Sequence, residues 1–213
     1  MNDELELMVL PLVLRLERVA PPERADALEA AAKAVLSLLA EPGDWAGELG
    51  AWQASGRIRK VVRRARGAEW RRVLDLPGRT IEHGTAQVRV HPPVPLDGWP
   101  KDLSRLQVSG TDLADTRPPG PPLPVVLWEN PGLAMTAGKA MAQAGHAAQL
   151  AWWASRPAER AAWYEAGLPL SVRTADKERF ADLESRPLPV VRDAGFTEIA
   201  AGSVTFVAEA PWL

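Results

Sequence analysis

Residues 135–148, MTAGKAMAQAGHAA, constrain the fold more than any other stretch of this chain. Thr136 is of a type that caps helix N-termini, and Ala137, Gly138, Ala140, Ala142, Ala144 and Gly145 then dominate a predicted helix. A helix so poor in large side chains can lie close against other backbone. Its polar residues are ordered: Lys139, Gln143 and His146 fall at i, i+4 and i+7 and so share one stripe. Spacing alone leaves two readings open. The stripe is either the surface of an Ala-rich core helix or a row presenting one cation, one amide and one imidazole.

A chain of 213 residues suffices for one large domain or two small ones, each with its own core. Apolar and charged fractions of 46% and 24% are those of a soluble globular protein. No apolar run approaches the length of a membrane span, and the opening MNDELELMVL lacks the basic region of a signal peptide. A cytoplasmic protein with no membrane partner is expected. The absence of cysteine excludes disulfide scaffolds and Cys-based metal or nucleophile sites. Three well-separated histidines, His83, His91 and His146, argue against a zinc site, so no metal or cofactor is expected. Charge is unevenly placed. Arg57, Arg59, Lys60, Arg63, Arg64, Arg66, Arg71 and Arg72 cluster with only Glu69 opposing them, whereas the chain after Pro118 is net acidic. Such a run is either the solvated face of a strand and helix or a phosphate-binding patch.

In chain order, residues 7–19 read as a strand, and Pro21-Pro22-Glu23 opens an amphipathic helix to about Leu39. Residues 40–56, with Trp45 and Trp52, read as loop. A strand is predicted from Ile58 to Ala65, a short helix from Ala68 to Leu76 and a strand from Gln87 to Val90. Prolines crowd the stretch from Pro92 to Pro124, and PPGPP at 118–122 reads as a stiff linker. Domains are therefore expected at 1–96 and 123–213, joined by a Pro-rich linker at 97–122. The second half restarts with a buried strand at 123–128, a loop, and the small-residue helix to about Ala154. A helix at 158–166, a strand at 168–173, a helix at 176–185 and strands at 189–192 and 203–208 follow.

The halves read as a degenerate internal repeat. TIEHGTAQVRVHPP (80–93) and EIAAGSVTFVAEAP (198–211) share Ile-x-x-Gly-[Ser/Thr], alternating apolar positions and a final Pro. Only the second half carries Lys139, His146 and a VVRDAGFT segment. There Arg192 and Asp193 close a predicted strand, and strand C-terminal ends are where open α/β sheets bind ligands. Asp193, Gly195 and Thr197 also suit an ordinary turn.

MTAGKAMAQAGHAA resembles the M-G-K-G-K-x-A-A-Q-x-x-H-A-A signature of the type-2 peptidyl-tRNA hydrolase family. VVRDAGFTEIAAGSVTFVAEAP resembles that family's R-D-A-G-R-T-x-I-x-P-G-S/T-x-T-V-x-x-x-x-P ending. The two blocks occur in the family's order and at its separation, over about residues 123–213. The resemblance implies a three-layer α/β/α sandwich around a small mixed sheet, here present twice in tandem. It also implies hydrolysis of the ester joining a peptide to the 3′-terminal ribose of tRNA, which frees stalled tRNA. By position it places the catalytic lysine on Lys139, the amide on Gln143, the helix histidine on His146, the acid on Asp193 and the threonine on Thr197. Water attack assisted by Asp193 and Thr197, with Lys139 and the helix N-terminus stabilising the oxyanion, is the implied chemistry.

The chain departs from the family pattern at Asn130, Gly132, Ala134, Ala137 and Phe196, where that pattern has charged residues, mostly cations. Phosphate contacts for tRNA then fall to Arg57, Arg59, Lys60, Arg63, Arg64 and Arg66 of the first half, with Arg192 of the second. The expected partner is peptidyl-tRNA, and the expected assembly is a pseudo-dimeric monomer or a homodimer. The alternative is a non-catalytic RNA- or protein-binding module that keeps the fold. Of nine tryptophans, Trp128 is the one expected beside the site.

Overall fold

In the computed structural model, which describes residues 7–56, 58–195 and 198–213, each half builds one small sheet from a buried apolar strand outward. In the first half β1 (Met8–Arg15) is followed by α1 (Arg24–Ala40), α2 (Ala46–Ala54), β2 (Arg59–Ala65), α3 (Gly67–Leu74), β3 (Arg79–His83), β4 (Ala86–Val90), the short β5 (Val94–Pro95) and α4 (Lys101–Ser104). In the second, β6 (Val126–Glu129) leads to α5 (Ala137–Ala154), α6 (Pro157–Glu165), β7 (Ser171–Thr174), α7 (Lys177–Ser185), β8 (Val190–Arg192) and β9 (Val204–Glu209).

The sheets have one topology. The first orders β2-β1-β4-β3, with β5 added against β1, and the second orders β7-β6-β9-β8. β1 runs parallel to β2 and β6 parallel to β7, and the remaining main pairings are antiparallel. The central strand β1 is apolar on both faces because both faces are covered. This mixed α/β architecture in each half is the expected one.

The halves share their middle layer. α1 and α5 pack on each other, and Ala30, Ala31 and Ala34 of α1 and Ala140, Ala144 and Ala148 of α5 are fully buried in one core. Each helix also reaches the other half's sheet, α1 onto β7 and α5 onto β2. Outside this layer, Trp70 and Val73 of α3 and Leu103 of α4 cover the far face of the first sheet. Phe180 and Leu183 of α7 cover that of the second. Small side chains on both middle helices allow the close approach.

Three expectations are revised. Residues 46–54 are helical where a loop was expected, because Leu49 and Trp52 bury one face of α2 under β1. The stretch 97–122 is not uniformly linker-like: Leu103 and Leu106 belong to the outer core of the first sheet. Segment 107–117 then crosses the N-terminal ends of both long helices. Thr111 faces Gly138 of α5, while Ala114 O accepts from Arg24 N and Asp115 from Ala25 N. Finally, Gln87–Val90 is paired with β3, a strand not separately assigned. Among the described residues no helix is long and apolar enough to cross a membrane.

Candidate active site

The β3–β4 and β8–β9 connections are where the two halves diverge. The first is a tight turn, His83 pairing with Ala86 around Gly84-Thr85. The second is an excursion from Asp193 to Ser203, closed by Asp193 N–H donating to Ser203 O and Gly202 N–H to Asp193 O. It carries the acid over the N-terminal turns of α5.

Thr136 caps that helix, its hydroxyl accepting from Lys139 N at 3.4 Å. Glu198 holds Thr136 from the excursion, accepting its N–H and its hydroxyl at 3.0 Å each. Lys139 Nζ forms an ion pair with Asp193 Oδ2. Gln143 Nε2 donates to the same oxygen at 2.6 Å, and Gly195 N–H donates to Oδ1 at 2.8 Å. The Asp193 side chain is only 4% exposed and that of Lys139 15%. Gly195 has a left-handed φ of 78°, and a Cβ there would come within 2.7 Å of Ala201 Cβ, so the turn presenting Asp193 requires glycine.

Gln143 is oriented by a residue the sequence reading passed over. Thr205 Oγ1, fully buried on β9, donates to Gln143 Oε1 at 3.1 Å and so aims the amide NH₂ at the acid. A threonine amid the apolar alternation of β9 was the available signal.

Lys139, Gln143 and Asp193 thus converge. His146 does not join them. It lies two turns down α5, where its Nδ1 faces Lys60 Nζ at 3.4 Å. Burial first, then the charges of Lys60 and Lys139, holds its pKa well below the ordinary imidazole value. Thr197 lies outside the described residues, as does Arg57.

The basic cluster is also redistributed. Lys60 is 7% exposed, packed over Trp52 at 4.8 Å and donating to Gln149 Oε1 at 2.5 Å. Strand alternation turns it inward with Val62 against α5, so it cannot meet a phosphate. Burial lowers its pKa well below the usual lysine value. Arg63 donates to Ser104 O and Leu106 O and stacks over Trp99, and Arg64 donates to Ser109 O and Gln107. Both guanidiniums fasten segment 104–109 rather than forming an open anion surface. Arg59 and Arg192 are exposed and Arg66 half-buried. Trp128, expected beside the site, faces the opposite side of its sheet, donating to Glu209 at 2.9 Å beneath Arg179.

Asp26, Glu29 and His83 could in principle share a metal ion, their donor atoms lying within 4.8 Å of one another. Those atoms already meet cations and N–H groups: Thr85 and Arg117 at Asp26, Arg173 and Val172 at Glu29, Lys33 at His83. Asp26 and Glu29 border a cavity of about 500 Å³ at the N-terminus of α1, away from Lys139 and Asp193, whose charged lining is paired in the same way.

An acid held between an ammonium and an amide can position a water, while the ammonium and the N–H groups of the first turn of a long helix can stabilise a developing oxyanion. Residues 124–212 match the family model of peptidyl-tRNA hydrolase PTH2. The resemblance carried by the two sequence blocks holds over this part of the chain. No curated protein matches the chain. The family match supports peptidyl-tRNA hydrolase activity in general and implies a tRNA substrate. Both of its sequence blocks contribute to the converged cluster.

Proposed function

We propose that the chain hydrolyses the ester between a peptide, or an N-blocked aminoacyl group, and tRNA, and thereby recycles stalled peptidyl-tRNA in the cytoplasm. The observation that carries this reading is the Lys139–Asp193–Gln143 cluster at the head of α5, its acid and amide buried, within the PTH2-matching part. Asp193 accepts a proton from water through Oδ1, which retains acceptor capacity beyond its bond from Gly195. The water oxygen bonds to the ester carbonyl carbon. Lys139 and the N–H groups heading α5 stabilise the oxyanion. The carbon–oxygen bond to ribose then breaks, the ribose oxygen takes a proton, and the peptide leaves as a carboxylate. Gln143, fixed by Thr205, holds the acid in place, and Thr197 is a further water-positioning candidate.

In this reading the two halves form a pseudo-dimer built from a degenerate tandem repeat. The first half supplies Thr111 and its neighbours as a wall beside Gly138. Phosphate contacts fall to Arg59, Arg66 and Arg192, joined by exposed Arg71 and Arg72.

Release of free tRNA from a peptidyl-tRNA pool tests the reading. Lys139→Ala should lower kcat/KM by about 10²–10³-fold, the range for losing one preorganised oxyanion stabiliser. Asp193→Ala should lower it by about 10²–10⁴-fold, the range for losing a positioned base. Salt-sensitive tRNA binding by a wild-type protein without turnover would instead identify a binding module.

A further inference from the structure

Along α5, Lys139, His146 and Leu150 keep partial exposure, His146 while packed against Lys60, and Trp153 and Ala154 are exposed; the other residues are buried. The less buried residues fall on one side of the helix, so α5 has a single least-covered stripe that starts at the reactive pair. The chain leading into β8 follows this stripe. Asp193 lies against Lys139 and Gln143, and Pro187–Val190 lie against Leu150 and Ala154, bordering a cavity of about 570 Å³. Trp212 and Leu213 complete its lining, in which no charged side chain among the described residues takes part.

We propose that the groove between α5 and β8 receives the peptide arm of the substrate and seats an apolar side chain in this cavity. The proposal rests on the hydrolase reading above. A peptidyl-tRNA carries two arms away from its ester, one polyanionic and one a peptide. A cavity lined by leucine, proline, valine and tryptophan has nothing to offer a phosphate, so the arm it fits is the peptide. The lengths agree. Lys139 and Leu150 are separated by about 16 Å along the helix axis. An extended chain covers that span in about five residues. β8 is the last strand of its sheet. A peptide laid beside it meets main-chain groups that accept any sequence, and the cavity adds preference for an apolar residue about five positions before the ester.

Two substrates separate this idea from its parent: tRNA esterified to an N-acetylated amino acid, and tRNA esterified to an apolar hexapeptide. Leu150→Gln and the isosteric Val190→Thr should each lower kcat/KM for the hexapeptidyl substrate by about tenfold or more. Turnover of the short substrate should stay within about twofold of wild type. Equal losses on both substrates, or none on either, overturn the groove while leaving the hydrolase intact. A wild type that cleaves neither overturns the hydrolase reading. The groove is then decided by an amide-linked hexapeptidyl-tRNA carrying a benzophenone at the fifth residue from the linkage. Cross-links within 187–190 or at Leu150, Trp212 or Leu213 support it, and cross-links elsewhere or none overturn it.

Discussion

His91 shows how far burial sets the chemistry of single residues in this protein. It is 2% exposed after the end of β4, with Nδ1–H donating to Pro77 O at 2.7 Å and Nε2 buried without a partner. Burial, reinforced by Arg89, lowers its pKa to about 4 despite the opposing bond to Pro77. The unfolded chain binds the imidazole proton near pH 6.5, so between pH 6.5 and about 4 it holds one more proton than the native state. Stability therefore falls as pH is lowered through this window, by about 3 kcal/mol at the bottom of it. His146 pulls in the same direction. Urea unfolding at pH 7.5 and pH 4.5 should show His91→Asn, which keeps a donor for Pro77, losing less stability on acidification than wild type. Equal losses would remove His91 from the acid response. At the same scale Lys60 explains a misreading. Counted along the chain it belongs to a basic run, but the two-residue period of β2 sends it inward with Val62 while Arg59 and Arg63 point elsewhere. A charge count carries no such period.

At the scale of elements, the contact between α1 and α5 depends on Gly145. A Cβ there would lie 3.0 Å from Val35 Cγ2 and 3.2 Å from the buried stem of Lys60. Gly145→Val should destabilise by about 2 kcal/mol, because overpacking two apposed helices outweighs the small gain in helix propensity. Gly50→Val in α2 is the control: its Cβ meets nothing within 4 Å, so only the propensity gain should register as a slight rise in Tm. A loss at Gly145 no larger than at Gly50 would mean that the helices can separate freely. The elements legible in the sequence were those with a strong period or a strong cap. The apolar run of β1, Pro22 and Glu23 before α1, and Thr136 before α5 all mark real boundaries. α2 was not legible, since Gly47 and Gly50 lower its propensity and only Leu49 and Trp52 mark its buried face. The Lys139–Asp193 cluster was legible because each partner sits in a long spaced motif. Thr205 was hidden in the alternation of a strand, and its purpose depends on Gln143 of a different element.

For the whole molecule, the apolar core shared by α1 and α5 is joined by a set of polar contacts between the halves that no local pattern announces. Arg24, at the start of α1, donates to both oxygens of Glu129 at 2.8 and 2.5 Å across a sequence separation of 105 residues. The Glu129 side chain is 5% exposed and that of Arg24 22%, and this bond raises the arginine pKa further. Glu29 of α1 likewise accepts Val172 N–H at 2.9 Å and pairs with Arg173 at 3.2 Å, while Lys60 of β2 reaches Gln149 of α5. Glu129 ends β6, and the loop from Asn130 to Met135 that follows leads directly into the head of α5. The first half therefore fixes the entry to the candidate site through Arg24. Removing one partner of such a pair leaves a buried charge uncompensated, so Arg24→Ala should destabilise the whole chain by about 3–5 kcal/mol. Replacing both partners removes that penalty: Arg24→Met with Glu129→Gln should be less destabilised than the sum of the single variants, with a coupling of about 2 kcal/mol. Because α1 and α5 share one core, unfolding in urea should remain a single transition by Trp fluorescence and circular dichroism alike. Additive single variants, or an early transition confined to one probe, would show that the halves stand independently and that the site does not depend on its companion sheet.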